Sequence, residues 1–525
     1  MSPRGDDTID LYEIPSGASV TSGRQATEPD YNPIHDPHAP LQDKHGTSRN
    51  LHAHRHHSAE SSHHDHVIHA GDERAAVDPT HRSHISSHLP EDIAKERERL
   101  DLFVDLIWVG IIGNLSDVFS SLAFRAENPD SALGMLVFIL VFLPSWRIWD
   151  AMREFLNNYY MDDMVQRAFT FWILVLSVFY GNQLAYLTED IDAVKTWCIS
   201  VYLVILGSFL AIEWTYSIWI VWLRKLVFFQ WLIRMPSVAL WVVATNLKGS
   251  RAIGPIVGAI VWEYLCPALL DSTLTEKLTP MEYRKALDVH HFQSRLSNFF
   301  IIILGEGVLQ LVKGGPLGRG LHDTVGVMSW VLLIYYEFSF LYFNRDGSQK
   351  FIPAVTHRGF KTLAWVFWHI PLFASILTFT AGVMFILRSQ SAGETSSTSS
   401  EAGEGGQISE EELPRYVHRA VWTCASSVSA VMFSLTIIAL MDKSLDEPGT
   451  LKIDNRYIRL SMRIVFMVAT LCIPLAHVSS QLFLGMVAMM LFVVGVWEWN
   501  VSLDRGGALI EPKGLSLMLS RELKT

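Results

Sequence analysis

The chain has 525 residues, half of them apolar and only 18% charged, with a mean hydropathy of +0.23 and a formal net charge of −11. Soluble proteins carry roughly 25% charged residues, so this composition argues against an ordinary soluble enzyme. The acidic balance argues against a nucleic-acid partner, which calls for a basic footprint.

Residues 1–98 form an amino-terminal tail unlike the rest. Fourteen of the 21 histidines precede residue 89, and residues 1–90 hold no apolar run long enough for a helix core. Such a segment cannot bury enough apolar surface to offset its ordering entropy, which predicts disorder. It lacks the basic start and apolar run of a signal peptide. Neutral imidazoles bind zinc, copper and nickel, which makes His52, His54, His56, His57, His63, His64 and His66 metal candidates. Their spacing lacks the closed Cys/His pattern of a structural zinc site, and no cofactor is expected. With 7 basic and 13 acidic residues over 1–90, the tail carries −6 with neutral histidines and +8 with all fourteen protonated. Its sign would therefore change below about pH 6.5, and with it the attraction to an anionic leaflet.

After residue 99 the chain becomes a series of apolar runs. A spanning helix needs about 20 predominantly apolar residues. The runs at 100–123, 131–149, 168–188, 196–217, 227–247, 252–270, 293–312, 324–343, 363–387, 419–441, 460–476 and 480–499 predict an all-α polytopic transmembrane bundle of about twelve spans. Assigning each Lys and Arg from Lys95 onward to the nearer span end gives 26 on the side of the two termini and 9 on the other. The positive-inside rule then places both termini in the cytosol, in the plasma membrane or an endomembrane. The division expected is a tail at 1–98, the first six spans and the start of the seventh at 99–312, the remaining spans at 313–504, and a short cytosolic tail at 505–525. Residues 389–417, rich in Ser, Gly and Glu at their start, read as a flexible non-cytosolic linker. Cys198, Cys266, Cys424 and Cys472 lie far apart in apolar stretches with no CxxC pair, which reads as buried thiols.

Ionisable residues inside spans are costly and by default face a cavity or a partner. Span one carries Asp101 and Asp105, four apart and on one face, then Asn114 and Asp117 on other faces. Their spread predicts a helix surrounded by protein. Span seven carries His291, Arg295, Glu306 and Gln310 within one narrow arc. Arg295 and Glu306 share a face but stand about 16 Å apart along the axis, so each needs a partner elsewhere. His290 and His291 read as interfacial. Glu213, Glu263, Glu337 and Glu498 lie beside Trp, Tyr or Phe and read as boundary residues beneath aromatic belts. Gly254 and Gly258 form one GxxxG packing cue.

Two of these segments carry a family resemblance. The stretch Arg99-Leu-Asp101-Leu-Phe103-Val104-Asp105-Leu-Ile-Trp-Val109, followed by Asn114-Leu-Ser116, resembles the opening signature of the low-temperature-requirement A family. That signature runs glutamate, leucine, two aromatics, aspartate, leucine, then an apolar stretch closing on a polar residue. His291 with Arg295 and the run Phe300-Ile-Ile-Ile-Leu304-Gly305-Glu306 is similar to the family's second signature, HxxxR leading into an apolar run and LGE. The resemblance covers roughly residues 97–500. Asp101 replaces the usual Glu, Val104 stands where the family has an aromatic, and the long tail is an elaboration. The resemblance implies a multi-pass membrane protein of poorly defined molecular activity.

A repeat is also visible. Arg99-Leu100-x-x-Phe103-x-x-x-Ile107 aligns with Arg295-Leu296-x-x-Phe299-x-x-x-Ile303, and Asn114 then falls against Gln310. Two six-span units in the same orientation, a known transporter plan, would produce this. There is no P-loop, no GxGxxG before a helix, no HExxH and no GxSxG, so no enzyme is expected. The expected function is a transporter or channel for a small ion or proton-coupled solute. Asp105 and Glu306 would be its protonatable groups and Arg295 their charge partner, with Asp101, Asn114, Asp117 and Gln310 along the pathway. The partners expected are the lipid bilayer and that ion or solute. The rival expectation is a non-transporting membrane protein for stress or low-temperature adaptation.

Overall fold

In lipid every backbone polar group needs an internal partner, so long apolar runs become helices. A computed structural model describes residues 91–125, 131–159, 163–219, 223–270, 289–313, 323–348, 350–354, 360–396 and 413–503. In chain order its long helices are α1 (Glu91–Ser120), α2 (Ser131–Tyr159), α3 (Met164–Leu184), α4 (Ile191–Trp219), α5 (Leu223–Asn246), α6 (Ile253–Leu270), α7 (Val289–Val312), α8 (Asp323–Asn344), α9 (Phe360–Ser396), α10 (Leu413–Met441), α11 (Arg456–Cys472) and α12 (Ser480–Val501). Eleven are long and apolar enough to cross a membrane, and α6 adds an apolar helix of 18 residues. The protein is an all-α, multi-pass membrane protein.

Each of the twelve apolar runs lies largely within one helix, and several helices extend beyond their runs. Residues 91–98, expected as tail, form the first turns of α1, and α9 continues through 389–396, the expected start of the linker. The histidines of the tail, most of that linker and the segment 505–525 lie outside the described residues. Helix ends are fixed by local chemistry. The Asp163 side chain accepts from the Gln166 N–H to cap α3, and the Ser479 hydroxyl accepts from the Leu482 N–H to cap α12. A two-stranded ribbon, β1 (Phe351–Ile352) antiparallel to β2 (Lys443–Ser444), ties the segment after α8 to the segment after α10.

The packing repeats. α1 packs on α2 and α3, and α7 on α8 and α9; α3–α4, α4–α5 and α5–α6 recur as α9–α10, α10–α11 and α11–α12; α2–α6 recurs as α8–α12. The halves meet where α1 packs on α7 and α9. At that seam the Trp149 and Phe299 ring centroids lie 4.3 Å apart, and Trp146 lies 5.4 Å from Phe373. These rings join α2, α7 and α9 in one buried aromatic cluster.

Two expectations need correction. α1 is not enclosed on every side: Leu102, Phe103, Leu106 and Asp117 are exposed along it. Asp101 and Asp105 face α7, while Leu102, Phe103 and Leu106 face outward. Cys198, Cys266 and Cys424 are buried, but Cys472, in the last turn of α11, is exposed.

Candidate functional site

The polar residues of α1 and α7 form two separate sites at different depths. In the first, Asp105 and Arg295 are fully buried. Arg295 Nη1 donates to Asp105 Oδ2 at 2.9 Å, and Trp149 Nε1 of α2 donates to Asp105 Oδ1 at 2.9 Å. One turn earlier, Asp101 Oδ1 is 3.5 Å from the same guanidinium nitrogen. Its Oδ2 is 2.7 Å from His291 Nε2, and His291 Nδ1 is 3.2 Å from Asn157 Oδ1. The neighbours of both ring nitrogens are thus oxygens. Asp101 and Asp105 share a face at i, i+4, as do His291 and Arg295, so two short motifs on two helices become one four-residue cluster.

This cluster fits a tie better than a pathway. Asp105 is absent from the walls of three cavities, of about 60, 280 and 310 Å³. Arg295 bridges two carboxylates, its guanidinium lies 5.8 Å from the Trp149 ring, and its Nε and Nη2 find no hydrogen-bond acceptor. Losing one member of such a buried pair strands the other charge. Arg153 of α2 extends the array: it pairs with Asp150 and lies 3.8 Å over the Phe292 ring.

The second site lies about 16 Å along α7 from Arg295. Glu306 and Gln310 are buried, and Gln310 Nε2 donates to Glu306 Oε1 at 2.6 Å. Glu306 lines a crevice of about 310 Å³ between α1, α3 and α7, together with Gly113, Asn114, Asn182 and Lys313. Asn114 Nδ2 donates to the Gly181 carbonyl at 2.9 Å, which holds α1 against α3. Gly113 leaves room for the carboxyl, since a Cβ there would lie 2.8 Å from Glu306 Oε1. Lys313 and Asp117 are exposed and lie within electrostatic reach of Glu306. The crevice opens sideways past the exposed Val178 and Leu309.

Asp101, Asp105 and Arg295 are therefore together, Asn114, Glu306 and Gln310 are together, and Asp117 stands exposed on α1. Asp105 and Glu306 do not converge on one cavity, and Arg295 serves only the first. Among the described residues no three His, Cys, Asp or Glu side chains come together to hold a metal ion. His369, before Pro371 in α9, bonds the Trp365 carbonyl at 2.8 Å and faces the Tyr342 hydroxyl.

The family model for bacterial low temperature requirement A protein (LtrA) matches residues 98–496. The chain belongs to the LtrA family. The match begins within α1 and runs into α12, so it takes in both sites. No curated protein and no solved structure matches.

Several polar residues escaped the reading of the sequence. In this LtrA protein Glu263, Glu337 and Glu498, read from the sequence as boundary residues, are buried, and Glu213 is half-buried. Glu263 and Glu498 are buried and held by other helices. Tyr202 donates to Glu263 Oε2 at 2.6 Å and Trp241 Nε1 to Oε1 at 2.8 Å. Arg463 grips Glu498 through Nε at 2.6 Å and Nη2 at 2.8 Å. Glu213 meets Arg234 at 3.5 Å. Glu337 is buried with Oε2 unbonded, and Gly495 leaves the space it fills. One signal could have found the pair: Val-Trp-Glu occurs at 261–263 in α6 and again at 496–498 in α12.

Around Glu498 the second half is fastened by charge. Arg345 donates to Asp442 Oδ2 at 2.6 Å, and the Ala354 N–H to its Oδ1 at 2.9 Å. Arg459 donates to the carbonyls of Asp346, Ile453 and Asp454 at 2.7, 3.0 and 3.1 Å. Asp442 lies just beyond α10. Burial raises its carboxyl above the ordinary carboxylate value, although Arg345 and the Ala354 amide pull the other way.

Proposed function

We propose that this LtrA-family protein carries a small ion or a proton-coupled solute across its membrane, with Glu306 as the binding group. The observation that supports this reading is the buried Glu306–Gln310 pair facing a crevice of about 310 Å³ that Asn114 and Asn182 also line. A buried carboxyl in a spanning helix is expensive unless it serves a pathway or a partner, and here its partner is a neutral amide. Asp101, Asp105 and Arg295 hold α1, α2 and α7 in register around it. Asp117 and Lys313 set the charge near the crevice. On this reading both termini are cytosolic, the bilayer is the one constant partner, and neither nucleic acid, cofactor nor enzymatic chemistry is involved.

The test is a flux assay with purified protein in liposomes, comparing the parent, Glu306→Gln and protein-free vesicles over a panel of protons, alkali cations and small solutes. Flux in the parent that falls toward the protein-free rate in Glu306→Gln supports the reading. Parent vesicles no leakier than protein-free ones overturn it. The sideways opening of the crevice favours one second reading, a non-transporting role in contact with lipid, under which the parent carries no flux and Glu306→Gln changes lipid binding instead.

A further inference from the structure

The two halves treat matching glutamates differently. Glu498 of α12 faces Arg463 of α11, which neutralises it through two hydrogen bonds. Glu263 of α6 stands in the same Val-Trp-Glu triplet in the first half, and on α5, the counterpart of α11, it meets the neutral donor Trp241. A second neutral donor, Tyr202, comes from α4. The tryptophan beside each glutamate even makes the same bond: Trp262 Nε1 donates to the Ile233 carbonyl of α5 at 2.7 Å, and Trp497 Nε1 to the Arg459 carbonyl of α11 at 3.2 Å. One copy is closed by an ion pair. The other is held by uncharged groups and lines a cavity.

That cavity is about 60 Å³, between α2, α4, α5 and α6, and its walls include Arg147, Glu154, Glu213, Arg234, Glu263 and Cys266. At about 30 Å³ per water it holds roughly two waters and no solute. Its cations are engaged. Arg147 donates to Asp150 at 2.7 Å, and Arg234 is 3.5 Å from Glu213. On α6 itself Tyr264 donates to the Leu143 carbonyl, and Cys266 lies 3.8 Å from the Ile233 carbonyl. Arg251, in the turn before α6, is about 18 Å along the axis. α9 also touches α6, and its buried His369 is bonded to Trp365 and Tyr342. Glu263 is thus a buried carboxyl with no ion pair among the described residues, within electrostatic reach of Arg147, near the Ser237 hydroxyl of α5 and beside space for water. The described residues offer no three-ligand metal group there.

A second cavity, of about 280 Å³, shares the Tyr202 and Trp241 rings; its walls are mostly apolar residues of α2, α4 and α6, with Asp192, Lys195 and Ser250 among them.

We propose that Glu263 is a proton-binding group, loaded and unloaded through the water-sized charged cavity of the first half. A proton from hydronium forms an O–H bond on the carboxylate and leaves water; the reverse step returns it. The inference stands on the cavity and the donors, not on solute transport at Glu306.

The test is infrared difference spectroscopy of the full-length protein in nanodiscs, titrated from neutral to acid pH in H₂O and D₂O. The expected result is a titrating carboxylic C=O band, shifted in D₂O, that is absent in Glu263→Gln and present in Glu306→Gln. Tyr202→Phe, which removes one donor, should displace the midpoint of that band. A band retained in Glu263→Gln, or no titrating carboxyl in the parent, overturns the proposal. Should Glu263→Gln fail to fold, an unmoved midpoint in Tyr202→Phe overturns it. Failure of flux at Glu306 would leave these readings unchanged, so the two ideas fall separately.

Discussion

Arg295 donates to Asp105 across the α1–α7 interface at 2.9 Å, with both side chains buried and Trp149 closing the other carboxylate oxygen. The two residues stand 190 positions apart in the chain, so one hydrogen-bonded pair joins the two halves of the molecule.

Removing one partner of that pair should cost more than removing both. A buried charge left alone typically costs about 3–5 kcal/mol, whereas replacing the whole pair with apolar residues is often neutral. Arg295→Leu and Asp105→Leu should each lower the thermal midpoint in detergent sharply, and the double variant should recover much of the loss. Additive losses would show that the pair is not a unit.

Gly113 and Gly110 separate geometry from folding at the crevice. A Cβ at Gly113 meets Glu306 Oε1 at 2.8 Å, whereas one at Gly110 meets nothing within 4 Å. Gly113→Ala should lower flux several-fold with the fold kept, and Gly110→Ala should leave it unchanged. Equal effects in the liposome assay would count against the carboxyl position as the controlling feature.

Gly307 gives a purely structural contrast. A Cβ there would press on the Tyr335 ring at 2.5 Å, and Tyr335 is bonded to Thr380 at 2.7 Å. Overpacking of this kind costs about 1–3 kcal/mol. Gly305, with nothing within 4 Å, should accept Ala with a gain of up to about 1 kcal/mol from helix propensity. Thermal unfolding of the two variants measures the difference.

Asp442 predicts a pH dependence. Its folded-state pKa is raised, chiefly by burial, so over the range just above the ordinary carboxylate value, near 4, the folded state binds more protons than the unfolded one. Stability contributed by this group is therefore present below that range and lost as pH rises through the folded pKa. Asp442→Asn should flatten that part of the stability curve, measured as thermal midpoint against pH.

The spans were legible because lipid leaves a long apolar run no alternative to a helix, and the place of Arg295 relative to Glu306 followed from axial rise alone. Which helices touch was not legible. Trp149, Asn157 and Tyr202 become polar partners only when α2 and α4 pack where they do. The partners of Glu263 and Glu498 were not legible because a glutamate beside tryptophan looks the same whether it meets a neutral donor or an arginine. The facing residue, Trp241 or Arg463, decides which, and it comes from another helix. The start of the linker was misplaced at residue 389 because Ser and Gly composition weighed more than the helix already running from residue 360.

The position of α9 has a consequence for biosynthesis. Its most apolar stretch is 83% buried, and it packs on α1, where the Ser116 hydroxyl reaches the Leu377 carbonyl. α1 ends at Ser120 and α9 begins at Phe360. At about 5–20 residues per second, ribosomes need on the order of 10–50 s to make the chain between them. For that interval the face of the first helix that α9 covers lacks its partner. A nascent chain released before α9 emerges should thus be a substrate for membrane quality control, however complete its first six helices are.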